Sequence, residues 1–493
     1  MKTDLMNIIF GLKVKKARLE TGMSLSAFAK ACRLSPSYLT EIEKGRKYPK
    51  RDKIMKIANV TGVDYDQLVS IRLDPSLAYL ESALNSPLIA GFPYDEFGVE
   101  MSSLVDLLTN APEKVGALIH ALIEIGRRFD VREEHFLRTA LRSYQEMQDN
   151  FFPEIEDEAD KTVAEYGFST PVSLDHLVRV LEEDHGYIVT FDTLAEDPDL
   201  CRLRSVMFRA GRRTLMINSR LSMGQQLVAV AREIGVRRLG LTQRSTTSPP
   251  RRVNSFDQAL NDFKASYFAG ALLMPRDVIL PDVEEFFQQT TFQPERLQAM
   301  IDKYGVTPEI LCYRLSELIP QHFGVELHFL RFDDANGRYR VIKQLNLNNL
   351  PVPTGFGFKE HYCRRWLTVR LLQEMQGKEI TPEKPLIGVQ LSEFLDGSGH
   401  FLCFGFSRPL MLSLGTSASV ILGFRVTPDL KETIRFVNDP EIPETMITGT
   451  CERCSLPKSE CSLRAAEPEI WQEQKDAERQ QEALKRLMAR SRV

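Results

Sequence analysis

At 493 residues the chain exceeds what one hydrophobic core sustains, so two to four domains are expected. Apolar and charged fractions of 43% and 26% exclude wholesale disorder, and no apolar run approaches the roughly 20 residues that cross a bilayer. The net charge of −4 hides a basic end, because residues 1–60 carry fourteen Lys or Arg against five acids; this fits a polyanionic partner or a solvated face. MNIIFGL runs into KVKKARLE with no small-residue cleavage site. A reducing cytoplasm is therefore the expected compartment, with the eight Cys as thiols or metal ligands rather than disulfides.

Residues 5–70 read as five short helices. The first stops near Gly22, and Ser24 is placed to cap SLSAFAKAC, with Phe28 and Ala29 inward. Ser35 and Pro36 open the next helix as cap and first helical residue; Leu39 and Ile42 share a face, and Gly45 ends it. A fourth helix follows Pro49, and DYDQLVSI forms the fifth. Two helices joined by the short turn RLSPS form a unit whose second helix can enter a DNA major groove. The string SLSAFAKACRLSPSYLTEIEKGRKYP resembles the xenobiotic-response, lambda-repressor-like helix-turn-helix family. That resemblance implies Ser35, Ser37, Tyr38, Thr40 and Glu41 as the groove-facing set, with Arg46, Lys47, Lys50 and Arg51 on phosphates. Leu25 departs from the pattern, since many relatives carry a DNA-contacting Gln there.

Residues 71–150 read as a linker followed by a helical connector. Pro75, Pro87 and Pro93 mark the irregular part. Asn110 with Glu113 fits a capping box ahead of the stripe Val115, Leu118, Ile119, Leu122 and Ile125. A second stripe runs through Phe136, Ala140, Leu141, Tyr144, Met147 and Phe151. Paired DNA half-sites call for a two-fold partner, so a homodimer or higher homo-oligomer is expected, with these helices as its interface.

Residues 151–335 combine the helix PVSLDHLVRVLEED, the strand YIVTF, a hairpin LRSVMFRAGRRTLMIN, the helix MGQQLVAVAREIGVRRLG and DFKASYFAGALLMPRDV. This order resembles the ImmA/IrrE family of zinc peptidase-like domains, which implies a zincin-like α+β fold. In active members two His of HExxH, one helical turn apart, bind zinc while the Glu activates water. Here the letters are Arg232, Glu233, Ile234, Gly235 and Val236, and Lys264 stands where the resemblance expects an acidic third ligand. These residues argue against zinc hydrolysis, so no enzyme is expected; a repressor-cleaving metalloprotease is the disfavoured alternative. Glu233 is expected to pair with a nearby Arg.

Residues 340–470 are strand-rich, through KPLIGVQL, HFLCFGFSRP and ASVILGFRV. Cys451, Cys454 and Cys461 follow as C-x2-C-x6-C, a spacing that lets thiolates share a metal. A 4Fe-4S cluster, structural zinc and no metal all remain open on spacing alone. Cys32, Cys201, Cys312 and Cys403 sit in apolar contexts and read as small hydrophobes. Residues 471–493 form a charged tail with helical letters.

The whole layout resembles the short-chain acyl-CoA-responsive transcription regulators. That resemblance implies double-stranded DNA as partner, an acyl-CoA effector in the middle domain, and control of fatty-acid, propionate or acetate genes. It adds Cys363 as a fourth thiol and tilts the metal towards iron–sulfur, a redox-sensing regulator being the alternative reading. Phosphates of coenzyme A need cations and its adenine a ring. Arg204, Arg212, Tyr267 and Arg331 are the candidates, against the plain reading of solvent-facing strand residues. The expected architecture is multi-domain, α then α+β.

Overall fold

The computed structural model describes residues 2–70, 93, 96–98, 133–353, 358–375, 378–413 and 415–490. They fall into two compact units, Met1–Ala140 and Leu141–Val493.

The first unit is helical: α1 (Lys2–Glu20), α2 (Leu25–Ala31), α3 (Pro36–Glu43), α4 (Arg51–Thr61) and α5 (Tyr65–Val69). Short polar caps set the starts, since Ser24 accepts from the Ala27 N–H at 3.3 Å and Ser35 from the Tyr38 N–H at 3.2 Å. Phe10, Val14, Phe28, Leu39, Ile42, Ile54, Ile57 and Leu68 converge on one core, which also takes Cys32. Gly11 makes the close approach of α1 and α3 possible, because a Cβ there would lie 2.2 Å from the Ile42 carbonyl oxygen. Arg18 and Glu43 form a buried two-pronged pair at 2.7 and 3.0 Å behind α3. The proline-bearing linker at Pro75 and Pro87, the Asn110–Glu113 box and the stripe from Val115 to Ile125 lie outside the described residues.

The helix α6 (Glu133–Met147) leads into the second unit, followed by α7 (Pro153–Tyr166) and α8 (Leu174–Glu183). A four-stranded sheet comes next, in the order β1-β3-β2-β4: β1 (Tyr187–Thr190), β2 (Ser205–Ala210), β3 (Arg212–Ile217) and β4 (Thr247–Ser248). The short α9 (Thr193–Glu196) precedes β2, and α10 (Met223–Arg238) precedes β4. The helices α11 (Phe256–Leu273), α12 (Arg276–Phe287), α13 (Pro294–Tyr304) and α14 (Pro308–Phe323) follow. Gly235 lets α11 close onto α10, since a Cβ there would meet the Phe268 ring at 2.6 Å.

A six-stranded sheet, β10-β7-β8-β9-β5-β6, completes the unit. Its strands are β5 (Leu327–Ala335), β6 (Arg338–Asn346), β7 (Leu386–Phe394), β8 (His400–Pro409), β9 (Thr416–Arg425) and β10 (Glu444–Ile447). One face buries Leu330, Phe332, Phe401 and Ile421 under α15 (Leu367–Glu374) and Trp366. The short α16 (Pro428–Thr433) and the long terminal α17 (Glu469–Arg490) flank the thiol-bearing loop. The strand β5, assigned from sequence to the middle domain, pairs instead with β6 and β9 of this sheet. Its continuous apolar letters fit either neighbourhood, and only the partner strands decide. No helix among the described residues is long and apolar enough to cross a membrane.

Candidate functional site

The first unit presents α3 with an exposed, cation-rich border. Arg46, Lys47, Lys50 and Arg51 are all exposed, on the turn after α3 and the start of α4. Lys53 lies 4.0 Å above the Tyr38 ring and Lys47 5.8 Å from it, so the tyrosine is fixed between two cations. The groove-facing set is not uniform. Ser37 is exposed, whereas the Ser35 hydroxyl is occupied as the helix cap and Thr40 donates back to the Pro36 carbonyl at 2.9 Å. Glu41 pairs with Arg46 at 3.6 Å.

In the second unit, α10 carries the positions that hold zinc in a peptidase. Arg232 occupies the first, and its guanidinium donates to the Ser248 hydroxyl at 3.1 Å and lies 3.7 Å from Asp262 of α11. Burial pushes the Arg232 pKa below its ordinary value. Glu233 accepts both prongs of Arg244 at 2.5 and 2.6 Å and the Tyr187 hydroxyl at 3.3 Å. The cavity beside them measures about 20 Å³, room for about one water. The acid facing this helix is Asp262; Lys264 does not line the cavity. Two residues along a helix is a turn of about 200°, so the two point to opposite sides. Zinc does not fit here: a guanidinium fills the cation's place, Val236 offers no donor, and Glu233 is saturated.

The effector candidates separate. Arg204, just before β2, and Arg331, on β5, come from different sheets and lie near enough for the second charge to act on the first. Arg204 keeps an exposed edge but is ringed by protein, and its pKa is lowered first by burial and then by Arg331. Arg331 donates to Asp333 at 3.1 Å, while its Nε is buried with no partner. Glu309 of α14 sits among these cations and is gripped by Arg408 at 2.7 to 3.1 Å. Burial works against its charge, yet Arg408 and then Arg331 hold the Glu309 carboxyl down at about 2. Tyr313, half-buried, stacks on Phe329 at 4.5 Å and lies near Arg204. Tyr267, in contrast, is 1% exposed and its hydroxyl oxygen accepts from the Phe152 N–H, so it is a core residue and no stacking surface. Arg212 stands exposed at the tip of the β2–β3 hairpin, apart from the cleft.

The four thiols Cys363, Cys451, Cys454 and Cys461 are all buried beneath one loop, within 2 to 6% exposure. An isolated bridge between Tyr362 and Thr450 and the Cys363 N–H to Gly449 contact bring the distant Cys363 to the others. The Ala465 N–H points at the Cys451 sulfur at 3.4 Å. Burial, then Cys454 and Cys451, raise the Cys461 pKa, which places these three as neighbours. An all-sulfur donor set with an N–H aimed at it suits a sulfur-bound metal. Among the described residues, however, no three such side chains converge closely enough to hold a metal ion. Cys32, Cys312 and Cys403 pack in apolar cores, and Cys201 is partly exposed.

Residues 14–68 match the helix-turn-helix family model, and residues 183–316 match the IrrE N-terminal-like domain. The HTH-type transcriptional regulator RamB of Mycobacterium tuberculosis is 25% identical over 72% of this chain and 73% of its own length. The HTH-type transcriptional regulator PrpR of the same organism is 24% identical over 79% and 77%. A propionyl-CoA carboxylase regulator of Cereibacter sphaeroides is 22% identical over 66% and 68%. The chain thus carries a helix-turn-helix match and an IrrE-like match and is similar to these regulators over 66% to 79% of its length. These relatives are transcriptional regulators and not enzymes.

Sequence reasoning missed Lys53, Arg244, Asp262, Tyr313 and Arg408. Lys53 was within reach of inspection, since it lies one turn beyond Lys50 on the same basic border. Arg408 and Tyr313 carried no signal, because each reaches the cleft only through strand pairing and helix packing remote in sequence.

Proposed function

We propose that this DNA-binding regulator responds to a short-chain acyl-CoA seated between Arg204 and Arg331, and that it controls genes of fatty-acid, propionate or acetate metabolism. One observation carries the reading: two guanidinium groups from different sheets lie close enough for the charge of Arg331 to disfavour that of Arg204. A phosphate group supplies the missing counter-charge through charge-assisted hydrogen bonds. Tyr267 is buried and Tyr313 is already covered by Phe329 and by Lys343 at 3.7 Å, so the reading rests on the two guanidinium groups, and Arg212 has no part. The name of the Cereibacter sphaeroides relative supports the acyl-CoA class. Ligand bound across two sheets favours one arrangement of them over another, which is how an effector acquires different affinities in two states.

The DNA-bound form is a two-fold dimer in this reading, matching paired half-sites. Its interface does not use Tyr144 and Phe151 of the second stripe, which pack within the chain on Phe152, Phe256 and His322. Cys363, Cys451, Cys454 and Cys461 would have to draw closer than they lie here to hold a sulfur-bound metal, iron–sulfur in preference to zinc, as a structural or sensing centre.

Thermal-shift measurements with coenzyme A, acetyl-CoA, propionyl-CoA and butyryl-CoA test the effector. Stabilisation by one thioester, abolished in Arg204→Ala and Arg331→Ala, is expected; a flat response at saturating ligand overturns the effector reading and leaves the DNA-binding one standing. Iron and zinc analysis after anaerobic purification tests the thiol centre. Neither metal at a stoichiometric level, or one unaffected by Cys454→Ser, removes it.

A further inference from the structure

Along the free edge of the six-stranded sheet runs a groove of about 410 Å³ that neither the DNA-binding face nor the effector cleft uses. The edge strand β6 forms its floor, Arg142 of α6 lines one wall and residues 358–364 the other. Six cations line it, Arg142, Arg338, Arg340, Lys343, Lys359 and Arg364. They face a single carboxylate, Glu360, and Arg453 already grips that one with two contacts at 2.7 Å. No ion pair engages Arg142, Arg338 or Lys359 among the described residues. Burial pushes the Arg142 pKa below its ordinary value, an effect that the charge of Glu146 offsets only in part.

The backbone contributes as well. Because β6 is the terminal strand, its outward N–H groups have no partner strand. One of them, on Asn346, already donates to the Glu146 carboxylate of α6 at 3.3 Å, which shows an oxyanion docked on this edge. A flat surface lies beside the cations, where the Arg364 guanidinium sits 4.4 Å from the Tyr339 ring centre. The volume is that of a small-molecule site, and the two walls confine it.

We propose that this groove binds a nucleoside di- or triphosphate. The phosphates rest on Arg142, Arg338 and Lys359 and on the free N–H groups of β6, and the base lies against the Tyr339–Arg364 pair. The site is independent of the acyl-CoA reading, since Arg204 and Arg331 do not line it.

Isothermal titration of the full chain with ADP, ATP, inorganic triphosphate and adenosine tests this, with Arg338→Glu/Lys359→Glu as the groove variant and Arg204→Ala as the control. Saturable binding of ADP or ATP is expected, weakened at least tenfold in the groove variant and less than twofold in Arg204→Ala. Adenosine alone should bind far more weakly. The proposal fails if neither nucleotide binds, or if the groove variant binds them unchanged. Triphosphate binding as tight as ATP overturns the nucleoside part. Loss of promoter-fragment affinity in the groove variant, without nucleotide binding to the parent, makes the groove a DNA contact and overturns the proposal. If acyl-CoA binding is lost in the groove variant but kept in Arg204→Ala, the groove stands and the effector cleft falls.

Discussion

Glu317→Gln should stabilise the second unit at pH 8.5 and leave it nearly unchanged below pH 4.5. Arg314 is fully buried and holds Glu156 with two contacts at 2.5 and 2.8 Å, reaches Glu317 at 3.2 Å and donates to the Met274 carbonyl at 3.0 Å. One cation thus faces two buried carboxylates. Glu156 takes the better contacts and, against its burial, has its pKa lowered by Arg314. Glu317 is left with the deficit: burial, only partly answered by Arg314 and reinforced by Glu156, pushes it up from 4.5 to about 8. An acid whose folded pKa is raised keeps its proton in the native state after the unfolded chain has released it. Stability therefore falls as pH rises from 4.5 to about 8. Each pH unit across that window costs at most about 1.4 kcal/mol. The full span sets an upper bound of about 5 kcal/mol, and an amide that still accepts from Arg314 should recover about 2 kcal/mol at pH 8.5. Arg314→Met has the opposite effect, about 3–5 kcal/mol of destabilisation, because it strands two buried carboxylates. Urea unfolding of parent and variants at pH 4.5, 6.5 and 8.5 measures both. A Glu317→Gln effect that does not grow with pH refutes the shared-cation argument.

Three further outcomes follow from the geometry. Lys47→Ala with Lys50→Ala should weaken retention of all promoter fragments alike and reduce the salt-dependence slope by about 2; a slope equal to the parent's removes both residues from the phosphate border. Arg408→Met leaves Glu309 buried without its partner, and should cost about 3–5 kcal/mol at pH 7. Glu309 is held at about 2, so its stabilising effect in the parent is present above its ordinary 4.5 and fades as pH falls towards 2. The deficit of Arg408→Met should shrink in acid, as read from unfolding at pH 7 and pH 4. Glu233→Gln removes the charge that Arg244 grips, at a cost of about 1.5–3 kcal/mol, with unchanged DNA affinity in the folded protein. A Glu233→Gln variant of parental stability contradicts the assigned pairing.

What the sequence determined by itself is the part governed by local rules. Helix caps at Ser24 and Ser35, the periodicity of Leu39 and Ile42, and the spacing of a short turn all act within a few residues, so the helix-turn-helix was legible. The loss of both zinc-binding His positions was equally plain, because it is a matter of residue identity. Tertiary structure decided everything that depends on which distant segments meet. Tyr267 looked available on its helix, but α11 is packed between neighbours and buries it. Asp262 rather than Lys264 faces α10 because helical phase, fixed by packing, turns one inward and the other away. Arg331 reaches Arg204 only because β5 inserts between β9 and β6, a pairing that no local pattern encodes. Cys363 likewise comes near the other three thiols only through an isolated bridge between loop segments remote in sequence, although the four do not converge as a metal site.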